Sequence, residues 1–406
     1  MNEAGRRPRL SATWTNFSYL AVYAYMLYGL GNATPYLRDD LRLTGFEAGL
    51  HASAMAVGVL IAGFTTDEIA HRIGSRRLLD LAVLSLIVGA VLIAGAPGLP
   101  VSLAGALLLG SGGGALGTHV NVALGSSGEA QSRKQLAQAN ALAMVTAAAA
   151  PLAIGLAASF HFWRIALLLP IVGFVALAAI RPNAAEARTI VRGPKTALPG
   201  SYWFVWVFLI VAVSIEFSFV FWGSTVVSRT TGISSADATL LASLFVVGMF
   251  TGRAAIGMGI GAGRGIRGLM AIGLGIILVG TGLIWVSTGI IVSGLGLFLG
   301  GLGTAGLWPL GITIALQGAP RAQITAAARA ALASGVAALL APSGLGLLSD
   351  EIGVVAAWPM ILVLGAAGLV ILAVTPAATS TAPSDPVLGA TPELTPPAAT
   401  AARTRP

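Results

Sequence analysis

Residues 43–60 read LTGFEAGLHASAMAVGVL, and residues 233–250 read ISSADATLLASLFVVGMF. Laid over one another without a gap, at a shift of 190, they match at six positions: Ala48/Ala238, Leu50/Leu240, Ala52/Ala242, Ser53/Ser243, Val57/Val247 and Gly58/Gly248. Leu43/Ile233, Thr44/Ser234 and Glu47/Asp237 are conservative pairs. A second stretch, AAPLAIGL (149–156), lies over LAPSGLGL (340–347) at a shift of 191, pairing Pro151/Pro342, Gly155/Gly346 and Leu156/Leu347. Trp163 and Trp358 fall at comparable places farther on. Chance resemblance of Ala/Gly-rich helices would account for one such patch. Two patches in nearly one frame indicate that a larger unit occurs twice.

The unit is a bundle of membrane helices. Of 406 residues, 56% are hydrophobic and only 9% are charged, against about 25% charged in an average soluble protein. So few charges cannot clothe a water-soluble surface. Glycine contributes 53 residues, as expected where helices pack closely in lipid. A membrane span needs roughly 20 mostly apolar residues. Twelve stretches qualify: 13–36, 48–66, 78–96, 100–124, 137–158, 162–180, 202–226, 237–258, 268–286, 290–315, 325–348 and 352–375. Arg6, Arg7 and Arg9 lead into a span too long for a signal-peptide core, so no cleaved leader is expected. There is no cysteine, which removes disulfides, thiolate nucleophiles and Cys-held metals.

The spans divide six and six about a polar, Pro-punctuated stretch. The expected organisation is a cytoplasmic N-terminus (1–12), an N-terminal six-helix bundle (13–180), a cytoplasmic linker (181–201), a C-terminal six-helix bundle (202–375) and a disordered cytoplasmic tail (376–406). With both termini inside, 17 of the 23 Lys and Arg fall in cytoplasmic segments. Four fall outside (Arg38, Arg42, Arg164 and Arg229), and the tail adds Arg403 and Arg405. That imbalance orients the chain. It also accounts for the net charge of +8 without nucleic acid. Six spans repeated in parallel is a transporter architecture, with the site between the halves near the bilayer midplane.

The loop after span two, GFTTDEIAHRIGSRRLL (63–79), resembles the gating loop of the major facilitator superfamily. Its Gly-x-x-x-Asp-(Arg/Lys)-x-Gly-(Arg/Lys)-(Arg/Lys) pattern falls on Gly63, Asp67, Arg72, Gly74, Arg76 and Arg77, with four extra residues after Asp67. The resemblance covers 13–375. It implies an all-α integral membrane fold of twelve helices in two parallel six-helix repeats. It also implies that spans one, four, seven and ten line the cavity. Gly63 would let two helices approach, Asp67 would accept from a neighbouring helix N-terminus, and the arginines would bridge helices in one gate state. Other family signatures are weak: span five keeps only Pro151 and Gly155 of an exporter motif, and span four (LLLGSGGGALG, 107–117) carries no Arg.

Polar groups inside spans are costly and usually face a cavity. Tyr25, Tyr28 and Asn32 share one face of span one. Ser111, Thr118 and Asn121 do so on span four, with His119 one step round. Span seven offers Glu216, Phe219 and Gly223; span ten offers Thr304, Trp308 and Gly311, with Pro309 expected to kink it. Asn140 and Gln317 lie near helix ends. Tyr25, Tyr28, Asn32, Ser111, Thr118, Asn121, Glu216, Phe219, Thr304 and Trp308 are the expected substrate-cavity residues. His51 and His119 are expected to be helix contacts rather than metal ligands, and Arg164, Arg253 and Arg329 to snorkel from helix ends.

Glu216 is the only acid central in a span. A carboxyl neutral in one gate state and ionised in the other can couple protons to a solute. No Lys or Arg sits mid-span, which disfavours anions and leaves a neutral polar solute such as a sugar slightly ahead. The alternative is a proton-driven exporter of amphipathic cationic drugs, using Glu216 with aromatics. A transport-inactive receptor and a membrane enzyme are remoter, since no paired Asp, Ser–His pair or His-Glu-x-x-His lies within the spans. No metal or cofactor is expected. The expected partners are a small-molecule substrate, protons and the bilayer of the cytoplasmic (plasma) membrane, with the chain acting as a monomer.

Overall fold

A computed structural model describes residues 11–125, 129–180, 197–320 and 322–375. Every regular element among them is a helix. In order these are α1 (Ala12–Leu41), α2 (Gly45–Ile73), α3 (Ser75–Ala94), α4 (Leu99–Gly125), α5 (Glu129–Ser159), α6 (Trp163–Ile180) and α7 (Tyr202–Thr231). There follow α8 (Ser235–Gly257), α9 (Gly265–Val286), α10 (Ile290–Thr304), α11 (Leu307–Gln317), α12 (Gln323–Ile352), α13 (Val354–Ala357) and α14 (Met360–Val374). Span ten is the pair α10–α11, and span twelve is α13–α14. Residues 1–10, most of the linker (181–196) and the tail (376–406) lie outside the described residues.

Eleven of the twelve expected spans are long and apolar enough to cross a bilayer. The first is the exception. α1 is 30 residues long, but Asn16, Tyr19, Tyr23, Tyr25, Tyr28 and Asn32 interrupt its apolar run. Elsewhere large apolar side chains face outward, among them Ile291 (87% exposed) and Val172 (71%). On a helical bundle these form a lipid-facing surface.

The repeat is written in the glycines. A Cβ on Gly110 would strike the Met55 carbonyl, and one on Gly301 would strike that of Phe245. A Cβ on Gly89 would come 2.7 Å from the Gly105 oxygen, and one on Gly280 would come 2.7 Å from the Gly296 oxygen. Every partner is displaced by 190 or 191 positions. α2 on α4 therefore reproduces α8 on α10, and α3 on α4 reproduces α9 on α10, with backbones as close as small residues allow.

The helix ends near 41–45, 159–163, 231–235 and 352–354 make one face, marked by Asp350. The opposite face carries Arg76. On the Asp350 side α12 packs on α2 and α8 on α5. A Cβ on Gly49 would sit 2.5 Å from the Pro342 oxygen, and one on Gly155 would sit 2.8 Å from the Leu240 nitrogen. Ser53 donates to the Leu339 carbonyl. The α2–α12 contact continues to Leu60 beside Gly335. Nearer the Arg76 face, a Cβ on Gly63 would meet nothing within 4 Å. The expected helix approach at Gly63 is therefore absent in this conformation, in which the close glycine contacts between the halves gather toward Asp350.

Candidate functional site

α1 and α7 meet where the seal ends. Tyr28, at mid-length in α1, donates a 2.8 Å hydrogen bond to Glu216 Oε1, at mid-length in α7. The same hydroxyl lies 3.7 Å from Met249 Sδ on α8. One turn farther along α8, Arg253 donates through Nε to the Ala305 carbonyl at 3.4 Å. Ala305 and Gly306 form the break between α10 and α11. One site thus gathers a carboxylate, a phenol, a thioether and a guanidinium from three helices, with a helix break beside them.

Arg253 does not simply snorkel away from the bundle, as its position near the helix end suggested. It turns back toward the break. The break precedes Pro309, which sits in the first turn of α11, where its missing N–H costs nothing.

Other expected cavity residues divide. Asn32 donates to the Tyr28 carbonyl at 2.9 Å, and its Oδ1 is buried without a partner among the described residues. Ser111 and Thr118 each donate to the carbonyl one turn back. Asn121 is exposed. Trp308 is 36% exposed and donates from Nε1 to Ser334 Oγ at 2.8 Å. Packing corrects three of these expectations. Tyr25 shares a helical face with Tyr28, but its hydroxyl donates to the Ala166 carbonyl on α6 at 2.9 Å. Phe219 is 2% exposed, stacked on Phe245 at 4.9 Å and edge-on to Trp358 at 5.1 Å. Thr304 is 3% exposed and donates to the Gly300 carbonyl. Phe219 and Thr304 are core of the second half, not lining.

His51 and His119 are helix contacts. His51 engages the Ala48 carbonyl and Ser102 Oγ, and His119 Nδ1 lies 3.0 Å from Ser75 Oγ. Asn140 and Gln317 are exposed. In the loop, α2 runs unbroken through Asp67 to Ile73, so the four extra residues are one more helical turn. Gly74 takes φ 85° between α2 and α3, the left-handed region that glycine enters without penalty. Arg72 pairs with Glu68 at 2.6 Å on its own helix, and Arg76 and Arg77 are exposed.

The sequence reading missed the contacts that close the Asp350 side. Asp350, at the end of α12, accepts from the Gly45 nitrogen at 2.6 Å and the Phe46 nitrogen at 2.8 Å. It thereby caps the first turn of α2, where unpaired N–H groups and the helix dipole favour an anion. Arg38 Nη2 lies 3.8 Å from the same carboxylate. Tyr36 crosses from α1 to the Ser235 carbonyl and Thr239 on α8. Within the second half, Trp222 Nε1 donates to the Pro342 carbonyl at 3.0 Å, fixing the α12 turn that Gly49 meets.

No family model matches the chain. Among curated proteins it is similar to the glucose transporter GlcP of Staphylococcus epidermidis (strain ATCC 12228 / FDA PCI 1200). The two are 27% identical over 164 residues, which is 39% of this chain and 37% of that protein. Among solved structures it is similar to the nucleoside transporter NupG (TM-score 0.73, 12% identical, 89% of this chain and 98% of that one). It is also similar to a D-xylose-proton symporter (0.73, 14%, 90% and 98%). A third is the peptide transporter POT bound to alafosfalin (0.67, 18%, 88% and 93%). The chain has the major facilitator fold.

Proposed function

We propose that this chain is a secondary active transporter that moves a small organic solute by alternating access, with Glu216 coupling a proton to it. The observation that carries the reading is the Tyr28–Glu216 hydrogen bond. It joins the two halves at mid-depth, at the floor of a seal closed on one side only. A carboxyl there senses both the solute and the relative position of the halves. Protonation removes its charge and changes what Tyr28 and Arg253 face.

With the Arg76 face in the cytoplasm, as the distribution of cations favours, this conformation is inward-open. Both termini then lie inside, in the cytoplasmic membrane. Reporter fusions test this: those at 97–99, 230–235 and 287–289 should read outside, and those at 73–76 and 190–195 inside. A consistent inversion overturns the orientation.

A neutral polar solute such as a sugar is the favoured cargo, and the working unit is the monomer. Glucose and D-xylose appear in the names of two similar proteins. Hydroxyls, an amide and Trp308 suit such a solute. An amphipathic cation is less suited, because Arg253, one turn along α8 from the Met249 that the Tyr28 hydroxyl touches, brings a positive charge to the same site. The test is growth of a transport-deficient strain on a sugar panel, then counterflow of the hits in proteoliposomes. Counterflow should be saturable, and uphill uptake should collapse when a protonophore removes the pH gradient. Uphill uptake that survives the protonophore would count against proton coupling.

A further inference from the structure

The four cations on the Asp350 face do not scatter. Arg164 pairs with Asp40 at 2.7 Å and lies 4.8 Å over the Trp163 ring. The other three, Arg38, Arg42 and Arg229, line one cavity of about 760 Å³ between the outer ends of α1 and α7. Its other lining includes Asp39, Ser224 and Thr225. The cytoplasmic bias of Lys and Arg works against cations on this face, so three converging there call for a reason. Arg42 and Arg229 are exposed, and neither is within ion-pair distance of an acid among the described residues. Ser224 is 3% exposed, and its hydroxyl is buried with no hydrogen-bond partner among the described residues. An unpaired buried hydroxyl in the wall of a cationic cavity is a donor waiting for an acceptor.

Arg38 links this cavity to the seal. Its Nε donates to the Leu43 carbonyl at 3.2 Å, and its Nη2 stands 3.8 Å from Asp350, too far for a tight charge-assisted bond. A carboxylate entering the cavity would offer that guanidinium a better partner than Asp350 does.

We propose that this cavity is a second, outer binding site for a small hydroxylated carboxylate, such as a sugar acid, whose arrival draws Arg38 from Asp350 and loosens the seal. Arg42 and Arg229 supply the charge, Ser224 and Thr225 the hydroxyl contacts, and Arg38 the link to the gate. Three arginines against Asp39 leave a net positive lining, which fits an anionic group. The gating clause rests on the transporter reading; the binding clause does not.

The experiment is calorimetric titration of the purified full chain with glucuronate and with glucose, probes matched in hydroxyls and differing in charge. Glucuronate should bind at least about tenfold tighter at low salt. It should lose that margin in Arg42→Gln/Arg229→Gln, and as salt is raised. Equal binding of the two probes, or glucuronate binding undiminished in the double variant, overturns the site. The chain has no cysteine, so spin labels on Phe162→Cys and Ile290→Cys report the outer distance between the halves. Glucuronate should lengthen that distance in the parent and leave it unchanged in the double variant. Tight glucuronate binding with no change in distance overturns the competition for Arg38. Failure of the transporter reading would appear instead as absent counterflow, which calorimetry does not need.

Discussion

The Tyr28 hydroxyl is held 2.8 Å from Glu216 Oε1, across the boundary between the two halves of the molecule. A structural tie and a coupling group make different demands on that carboxyl. A tie needs only an acceptor, which the amide of Glu216→Gln supplies. Coupling needs a proton that comes and goes. We expect Glu216→Gln to abolish uphill transport while leaving downhill exchange of the same solute. Tyr28→Phe should keep accumulation but slow it, since the carboxyl loses its tie to α1. Accumulation by Glu216→Gln with the parent's pH profile would defeat the coupling role.

The Asp350 clamp is the second relationship with a consequence. Its two oxygens take two backbone N–H groups of α2. An amide cannot do both, because its nitrogen would face a donor. Asp350→Asn should therefore destabilise the sealed state by about 1–3 kcal/mol, a population shift of roughly 5–150-fold. Labels at Phe162→Cys and Ile290→Cys would show it as a longer mean distance without ligand. A parent-like distance would mean that the remaining contacts, at Gly49, Ser53, Gly155 and Tyr36, hold the seal without the clamp.

Much of this was legible in the sequence. Apolar runs gave the spans and two patches gave the repeat. Span one alone fails the apolar test, because the Tyr and Asn residues that drew attention as site candidates interrupt it. The deeper repeat, in Gly89/Gly280 and Gly110/Gly301, was hidden because glycine is too frequent here for a matched pair to stand out. Within the site, helical spacing put Tyr25 beside Tyr28 but could not say that one turns to α6 and the other to α7. Arg253 looked like a helix-end residue because α8 ends four residues later. Only the break at Ala305, far away in sequence, gives its side chain a reason to turn inward. Asp350 caps a helix 305 residues distant, beyond any local pattern.

The junction of α2 and α3 has a kinetic consequence. Asp67 and Arg76 lie toward the face that is open here, far from Glu216 along α2 and α3. They can act on solute only by biasing the conformational equilibrium. Asp67→Asn and Arg76→Gln should slow exchange several-fold while leaving solute affinity within a few-fold. Direct binding titration beside exchange rates separates the two. Lost affinity with normal turnover would place these residues at the solute instead.

The glycine repeat makes a stability prediction with its control built in. Alanine is the better helix former, by about 0.5–1 kcal/mol over glycine, so Gly→Ala inside a helix is mildly stabilising wherever space allows. Gly117 on α4 and Gly275 on α9 have nothing within 4 Å of an added Cβ. Gly110 and Gly301 have no such room, because the added methyl would press on the Met55 and Phe245 carbonyls of the facing helices. Relief requires moving α4 from α2, or α10 from α8, and overpacking of this kind costs about 1–3 kcal/mol. Gly110→Ala and Gly301→Ala should therefore lower the unfolding temperature in detergent by similar amounts, since they are copies of one contact. Gly117→Ala and Gly275→Ala should leave it unchanged or raise it slightly. If Gly110→Ala and Gly301→Ala melt like the parent, the close approach of these helices is not what the packing depends on.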